Sequence, residues 1–207
     1  MLLSDLITKV AKQLVDTNHV RWTREELLDF LNMGLSTFII KRPDVSRTTA
    51  TQTATESLID IPTDGYSIIT VNHVNKRGVQ YVDINKLGQL NPDWRLDDGV
   101  PVAWTRNEFD NDSVYIYPAP VTEVDVELVY SKDVQVESED ESFPLKEIYI
   151  SILYDYIIYR AFNKDSASAE EAQKAQYHLM LFKDAIGDKA AADALKEQIL
   201  QAKEVGR

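Results

Sequence analysis

Hydrophobic residues recur along this chain in two rhythms, helical at both ends and alternating in the middle. Leu3, Leu6, Ile7, Val10 and Leu14 share one helical face, with Ser4 placed to cap its start. A second helix opens on a capping box, Thr23 followed by Glu26, in which hydroxyl and carboxylate satisfy exposed N–H groups reciprocally. Its apolar set is Leu27, Leu28, Leu31, Leu35, Phe38 and Ile39, and Pro43 closes it after Lys41-Arg42. The two helices are expected to pair.

Between Ser46 and Ala54 the chain is rich in Thr, Ser and Ala with no core pattern, which predicts an extended connection into another layer. Six β-type runs follow: Leu58–Ile61, Tyr66–Val74, Val79–Ile84, Val102–Arg106, Ser113–Tyr117 and Val124–Tyr130. Turn chemistry separates them at Pro62-Thr63-Asp64-Gly65, Asn75-Lys76-Arg77-Gly78 and Asp110-Asn111-Asp112. In the last run Val124, Val126, Leu128 and Tyr130 alternate with Asp125, Glu127 and Val129, so one strand face is apolar and the other largely acidic. Short connections predict an antiparallel sheet.

Helical spacing returns at Leu145. The run from Ile148 to Ile158 is apolar around almost its whole circumference, the mark of a helix buried on several sides. After Asn163-Lys164-Asp165-Ser166 a fourth helix places Ala172, Ala175, Leu179, Phe182 and Ile186 on one face and is expected to stop near Gly187. The remainder, 188–207, is alanine-rich with high helix propensity, but carries only Leu195, Ile199, Leu200 and Val205 as large apolar residues. The fold class predicted is α+β: a helical bundle formed by 1–47 and 143–187, an inserted antiparallel β domain at 48–142, and a helical or extended C-terminal arm at 188–207.

Composition agrees with a folded chain: 207 residues, 44% hydrophobic and 27% charged, are enough for a sizeable core and too apolar for disorder. No run approaches the ~18 apolar residues that span a bilayer, so no membrane partner is expected. The N-terminus lacks the basic and apolar regions of a secretory signal, which points to synthesis in cytoplasm.

The net charge of −12 is unevenly placed. Residues 1–47 hold 7 basic and 6 acidic side chains, 48–122 hold 5 and 10, 123–142 hold 1 and 8, and 143–207 hold 9 and 10. The acidity therefore belongs to the middle, and most densely to its exit.

Little in the sequence points to catalysis. Zero cysteines exclude thiolate chemistry and disulfides, and His19, His73 and His178 have no metal-ligand spacing. Neither phosphate-binding glycine loop nor a GxSxG elbow is present. Neither an enzyme nor a cofactor is expected. Glu137, Glu139, Asp140 and Glu141 sit between Ser138 and Ser142 in a connection, where mutual repulsion favours solvent over an acid–base pair. Asp155, inside an apolar helix, needs a partner, either a structural hydrogen bond or an ion pair, within the chain or between subunits. Tyr149, Tyr154, Tyr156 and Tyr159 share that helix. Rings of this kind serve a core first, but their hydroxyls also suit interfaces, which makes Tyr149, Tyr154 and Asp155 intersubunit candidates.

Arg21-Trp22-Thr23, Leu31-Asn32-Met33-Gly34 and Lys41-Arg42-Pro43-Asp44 come first in a longer series. Ile61-Pro62-Thr63-Asp64-Gly65, Asn91-Pro92-Asp93-Trp94 and Val114-Tyr115-Ile116-Tyr117-Pro118-Ala119-Pro120 continue it. Tyr130-Ser131, Ala161-Phe162-Asn163-Lys164-Asp165 and Ala175-Gln176-Tyr177 complete it. In this order and spacing, over most of 4–192, the chain resembles the head-to-tail adaptors of short-tailed bacteriophages, the tail tubular protein A-like proteins.

The resemblance implies a structural virion protein made in the host cytoplasm and placed at the head–tail junction. It implies a dodecameric ring that binds the portal protein above and a tail nozzle or tail tube protein below, around a channel through which DNA passes without sequence-specific binding. Leu195, Ile199 and Leu200 become candidates for docking the arm on the portal. Glu137, Glu139, Asp140 and Glu141 become candidates for a channel or rim that repels phosphate, against the alternative of a solvated outer face. A generic soluble protein-binding module remains the competing reading.

Overall fold

The computed structural model describes residues 1–110, 112–164 and 168–205, the side chains from 188 onward excepted. The class is mixed α+β, and the contacts divide it into two compact units: Met1–Arg42 with Val134–Arg207, and Pro43–Asp133. Residues 134–142, assigned by sequence to the β insertion, therefore stand with the helices. Backbone bonds from this stretch to residues 3 and 4 of the N-terminal segment hold it there.

In the first unit, α1 (Leu3–Gln13) and α2 (Arg24–Lys41) bury the predicted faces. Ser4 is not the cap of α1. The Leu3 and Ser4 N–H groups donate instead to the Glu141 and Glu139 carbonyls, at 2.9 and 2.8 Å. Thr23 does cap α2, its hydroxyl accepting from Glu26 N–H at 3.2 Å, while the Glu26 carboxylate turns to Lys164 rather than back to the cap. The helices α4 (Ile150–Lys164) and α5 (Ala169–Val205) pack on each other, and α4 also lies on α2. Gly34 makes that last approach possible, because a Cβ there would lie 2.9 Å from the Tyr156 ring. Helix α5 does not end at Gly187 as predicted. One glycine with no positive φ costs about 1 kcal/mol against alanine, too little to stop a helix flanked by good helix formers and no proline.

The second unit holds β1 (Arg47–Ala54), β2 (Leu58–Asp60), β3 (Gly65–Val74), β4 (Arg77–Gly78) and β5 (Gln80–Tyr81). Then come α3 (Ile84–Leu90), β6 (Asp98–Gly99), β7 (Ala103–Arg106), β8 (Ser113–Tyr117), β9 (Ala119–Pro120) and β10 (Val124–Lys132). One sheet runs β1-β10-β3-β4, a second β2-β8-β7-β5, and β6 and β9 form a short pair. Both four-stranded sheets feed one core that includes Ile59, Ile68, Val71, Trp104, Ile116, Val126 and Leu128.

The polar stretch before Ala54 is a true strand, paired with β10 from Arg47↔Ser131 to Ala54↔Val124. It lacks a core pattern because it is an edge strand that buries only its last residue. The β10 alternation is as read: Val124, Val126, Leu128 and Tyr130 are buried, Asp125 is exposed and Glu127 half-buried. Two corrections concern the middle. The β5–β7 pair is parallel within an otherwise antiparallel sheet, and the separate β6–β9 pair is parallel too. The predicted strand Val79–Ile84 is strand only at Gln80–Tyr81, since Asp83 caps α3 by accepting from the Asn85 and Lys86 N–H groups.

Candidate functional site

The acidic exit segment is tied to the start of the chain. Beyond the two α1 bonds, Phe143 N–H donates to the Met1 carbonyl and Leu2 bridges to Ser142. Asn32 grips the segment upstream, donating to the Val136 carbonyl at 2.9 Å and accepting from its N–H at 3.0 Å. Carbonyls of the segment thus face the positive end of the α1 dipole, where they are favourable.

The four acidic candidates divide in two. Glu139 pairs with Arg24 at 2.6 Å, and Glu141 accepts from the Glu137 and Ser138 N–H groups at 2.8 Å each. These contacts commit both carboxylates to partners within the chain. Glu137 and Asp140 are exposed, and neither carboxylate has a partner among the described residues.

The intersubunit candidates lie near or on α4. Tyr149, just ahead of it, is buried edge-on against Phe38 at 5.3 Å. Asp155 faces His178 on α5, with 2.8 Å between the carboxylate and Nδ1, so its partner is within the chain. Tyr154 is half-buried; burial first, and the Asp155 charge second, raise its hydroxyl above the ordinary tyrosine value. Leu195, Ile199 and Leu200 lie on the helical continuation of α5, and their side chains fall outside the described residues.

A groove that sequence reasoning did not assemble opens beside α5. About 500 Å³ in volume, it is lined by Thr37 and Lys41 of α2, Tyr156 and Tyr159 of α4, and Leu179, Phe182, Lys183, Ile186 and Gly187 of α5. The available signal was the i, i+3 pair Tyr156–Tyr159 facing Phe182, whose ring lies 4.8 Å from that of Tyr156. Its described lining runs as far as Gly187, where the undescribed side chains begin.

Several sequence motifs meet in space. Arg21 stacks on Trp22 and pairs with Glu171 at 2.5 Å, and Trp22 reaches α4 through Nε1–H to the Ala161 carbonyl at 3.0 Å and edge-on contact with Phe162. The Asp16 carboxylate holds that loop by accepting from the Val20, Arg21 and Trp22 N–H groups, and these bonds, Trp22 first, keep it below its ordinary value. Trp94 packs on Tyr115 and Tyr117, and the Tyr117 hydroxyl donates to Asp97 at 2.8 Å. Asp64 accepts from the Tyr130 hydroxyl at 2.8 Å and pairs with Lys132 at 3.0 Å, which lowers its titration in that order of cause.

Among the described residues no group of three or more His, Cys, Asp or Glu is placed to hold a metal, and no helix is long and apolar enough to cross a membrane. The arrangement is one of surfaces and clasps. The family model that describes the SU10 adaptor protein matches residues 1–201. No curated protein matches the chain.

Proposed function

Because the chain belongs to the SU10 adaptor protein family, which makes it a phage adaptor and a structural protein, we propose that it forms the ring joining portal to tail. The observation that carries the reading is the match over nearly the whole chain, 1–201, which takes in most of the arm as well as both units. In this reading the four long helices form a bundle carrying the β unit, the ring has twelve copies, and its lumen passes DNA during ejection.

Helix α5 supports a reaching role. At about 1.5 Å per residue its 37 residues extend roughly 55 Å, about half of it beyond Ile186. We assign Leu195, Ile199 and Leu200 to portal docking and Glu137 and Asp140 to the channel or a tail-facing rim. Tyr154 is the intersubunit candidate with its hydroxyl least committed within the chain. Deleting 188–207 is expected to leave 1–187 folded by circular dichroism and to abolish binding to the portal. Retained binding refutes the docking assignment.

A further inference from the structure

The β unit has one open side and one closed side, and their chemistry is complementary. On the open side, β1 and β2 are the outer strands of the two sheets. Chain leaving β1 at Ala54 re-enters at Leu58, and between these arms lies an open cleft of about 670 Å³ lined by residues 51–56 and 58–61. Strand β1 is an unusually receptive edge. Its eight pairs to β10 run in unbroken register, and beyond Arg47 at its first position it contains no proline or charged residue, the devices that normally protect such an edge. Leu58 in the cleft is 43% exposed. The Glu56 and Asp60 carboxylates, also in the cleft lining, are exposed with no partner among the described residues.

The opposite side is closed by one stretch of chain, which forms β4 at the edge of the first sheet and then β5 at the edge of the second. Val79 between them packs on the shared core, while Arg77, Gly78, Gln80 and Tyr81 remain exposed. Lys76 and Arg77 are cations without a partner among the described residues. One side therefore offers unpaired strand edge, apolar surface and two free carboxylates. The other offers strand edge, an exposed tyrosine ring and two free cations.

We propose that the Lys76–Tyr81 edge of one copy docks along β1 and into the Thr51–Ile61 cleft of the next, continuing the sheets from copy to copy. Two unlike patches on one chain make a head-to-tail contact, the type that generates rings when the rotation closes. Main-chain bonds supply affinity, as in other strand additions, and the pairing of Lys76 and Arg77 with Glu56 and Asp60 sets direction. The inference rests on the adaptor reading for its premise that copies assemble.

The chain has no cysteine, so the test is clean. One full-length chain carrying Thr51→Cys is mixed at high concentration with another carrying Gly78→Cys, a position where an added Cβ meets nothing within 4 Å. A short thiol-specific cross-linker is expected to join the two. In parallel, Glu56→Lys with Asp60→Lys, or Lys76→Glu with Arg77→Glu, should weaken self-association about tenfold, and the chain with all four changes should recover it. Absence of the mixed cross-link, or failure of the fourfold variant to recover, overturns the proposal. Portal binding by the truncated chain is read separately, so the docking assignment and this contact can fail independently.

Discussion

The two units solve the same packing problem with different means. The β unit is one continuous stretch, and its strands share an apolar core and are held by backbone ladders, several of which, such as β1–β10 and β2–β8, join distant pieces of that stretch. The helical unit is built from the two ends of the chain and is joined by polar clasps of long sequence separation: Arg21–Glu171, Arg24–Glu139, Asn32–Val136 and Trp22–Ala161. A discontinuous unit must fix the register of segments that arrive separately. Apolar burial is non-directional, so directional bonds carry that task.

That contrast can be broken at its strongest point first. Leu128→Ala removes a fully buried side chain at the centre of the β core and should destabilise that unit by about 2–5 kcal/mol. Residue-resolved hydrogen exchange should show the loss in β3, β8 and β10 with α2 and α4 still protected. Asn32→Ala tests the opposite unit. It leaves both backbone groups of the buried Val136 unpaired and should cost about 1–3 kcal/mol in denaturant melts, with faster exchange in 134–143 and α1.

Acid offers a finer comparison, because each unit has a carboxylate that titrates below its ordinary 3.8, Asp16 among the helices and Asp64 among the strands. A group depressed in this way stabilises the fold fully above its unfolded value and ceases to do so as the pH falls through its folded value. Both units should therefore weaken below about pH 4. Asp16→Asn should make that acid limb shallower for amides of the helical unit alone, where Glu147, lowered by its bond to the N-terminal amine, keeps part of it, and Asp64→Asn should flatten it for those of the β unit alone, in exchange measured from pH 5 to 2.5. The smallest effect concerns the acidic segment. Glu137→Gln with Asp140→Asn should change stability by less than about 0.5 kcal/mol, since neither side chain has a partner to lose. If DNA ejection is altered in a phage carrying that pair, the channel or rim assignment stands; unchanged ejection returns them to solubility.

Much of the secondary structure was legible because periodicity and turn chemistry are local. The faces of α1 and α2, the Thr23 cap and the alternation of β10 needed only neighbouring residues. Reading failed for more than one reason, and at α1 a distant group had replaced a local one. Ser4 offered a hydroxyl to α1, but carbonyls from 139 and 141 took its place. The Thr-rich stretch from Ser46 to Ala54 showed no core pattern because, as an edge strand, it buries little of its surface. Asp83 was a local signal that was overlooked, its cap hidden behind the β-like run from Val79.

The candidate site divides along the same line. Sequence alone determined the order of motifs, and with it the family. It also located the acidity at 123–142, because both are properties of linear order. Only the tertiary structure decided which acids have a partner within the chain and which do not, and that the Leu31-Asn32-Met33-Gly34 motif combines a clasp at Asn32 with a close helix approach at Gly34. It alone set the unprotected β1 edge and the Arg77–Tyr81 edge on opposite sides of the sheets. Partnership is a matter of distance in space. A linear pattern fixes which residues need a partner, and the fold fixes whether one is there.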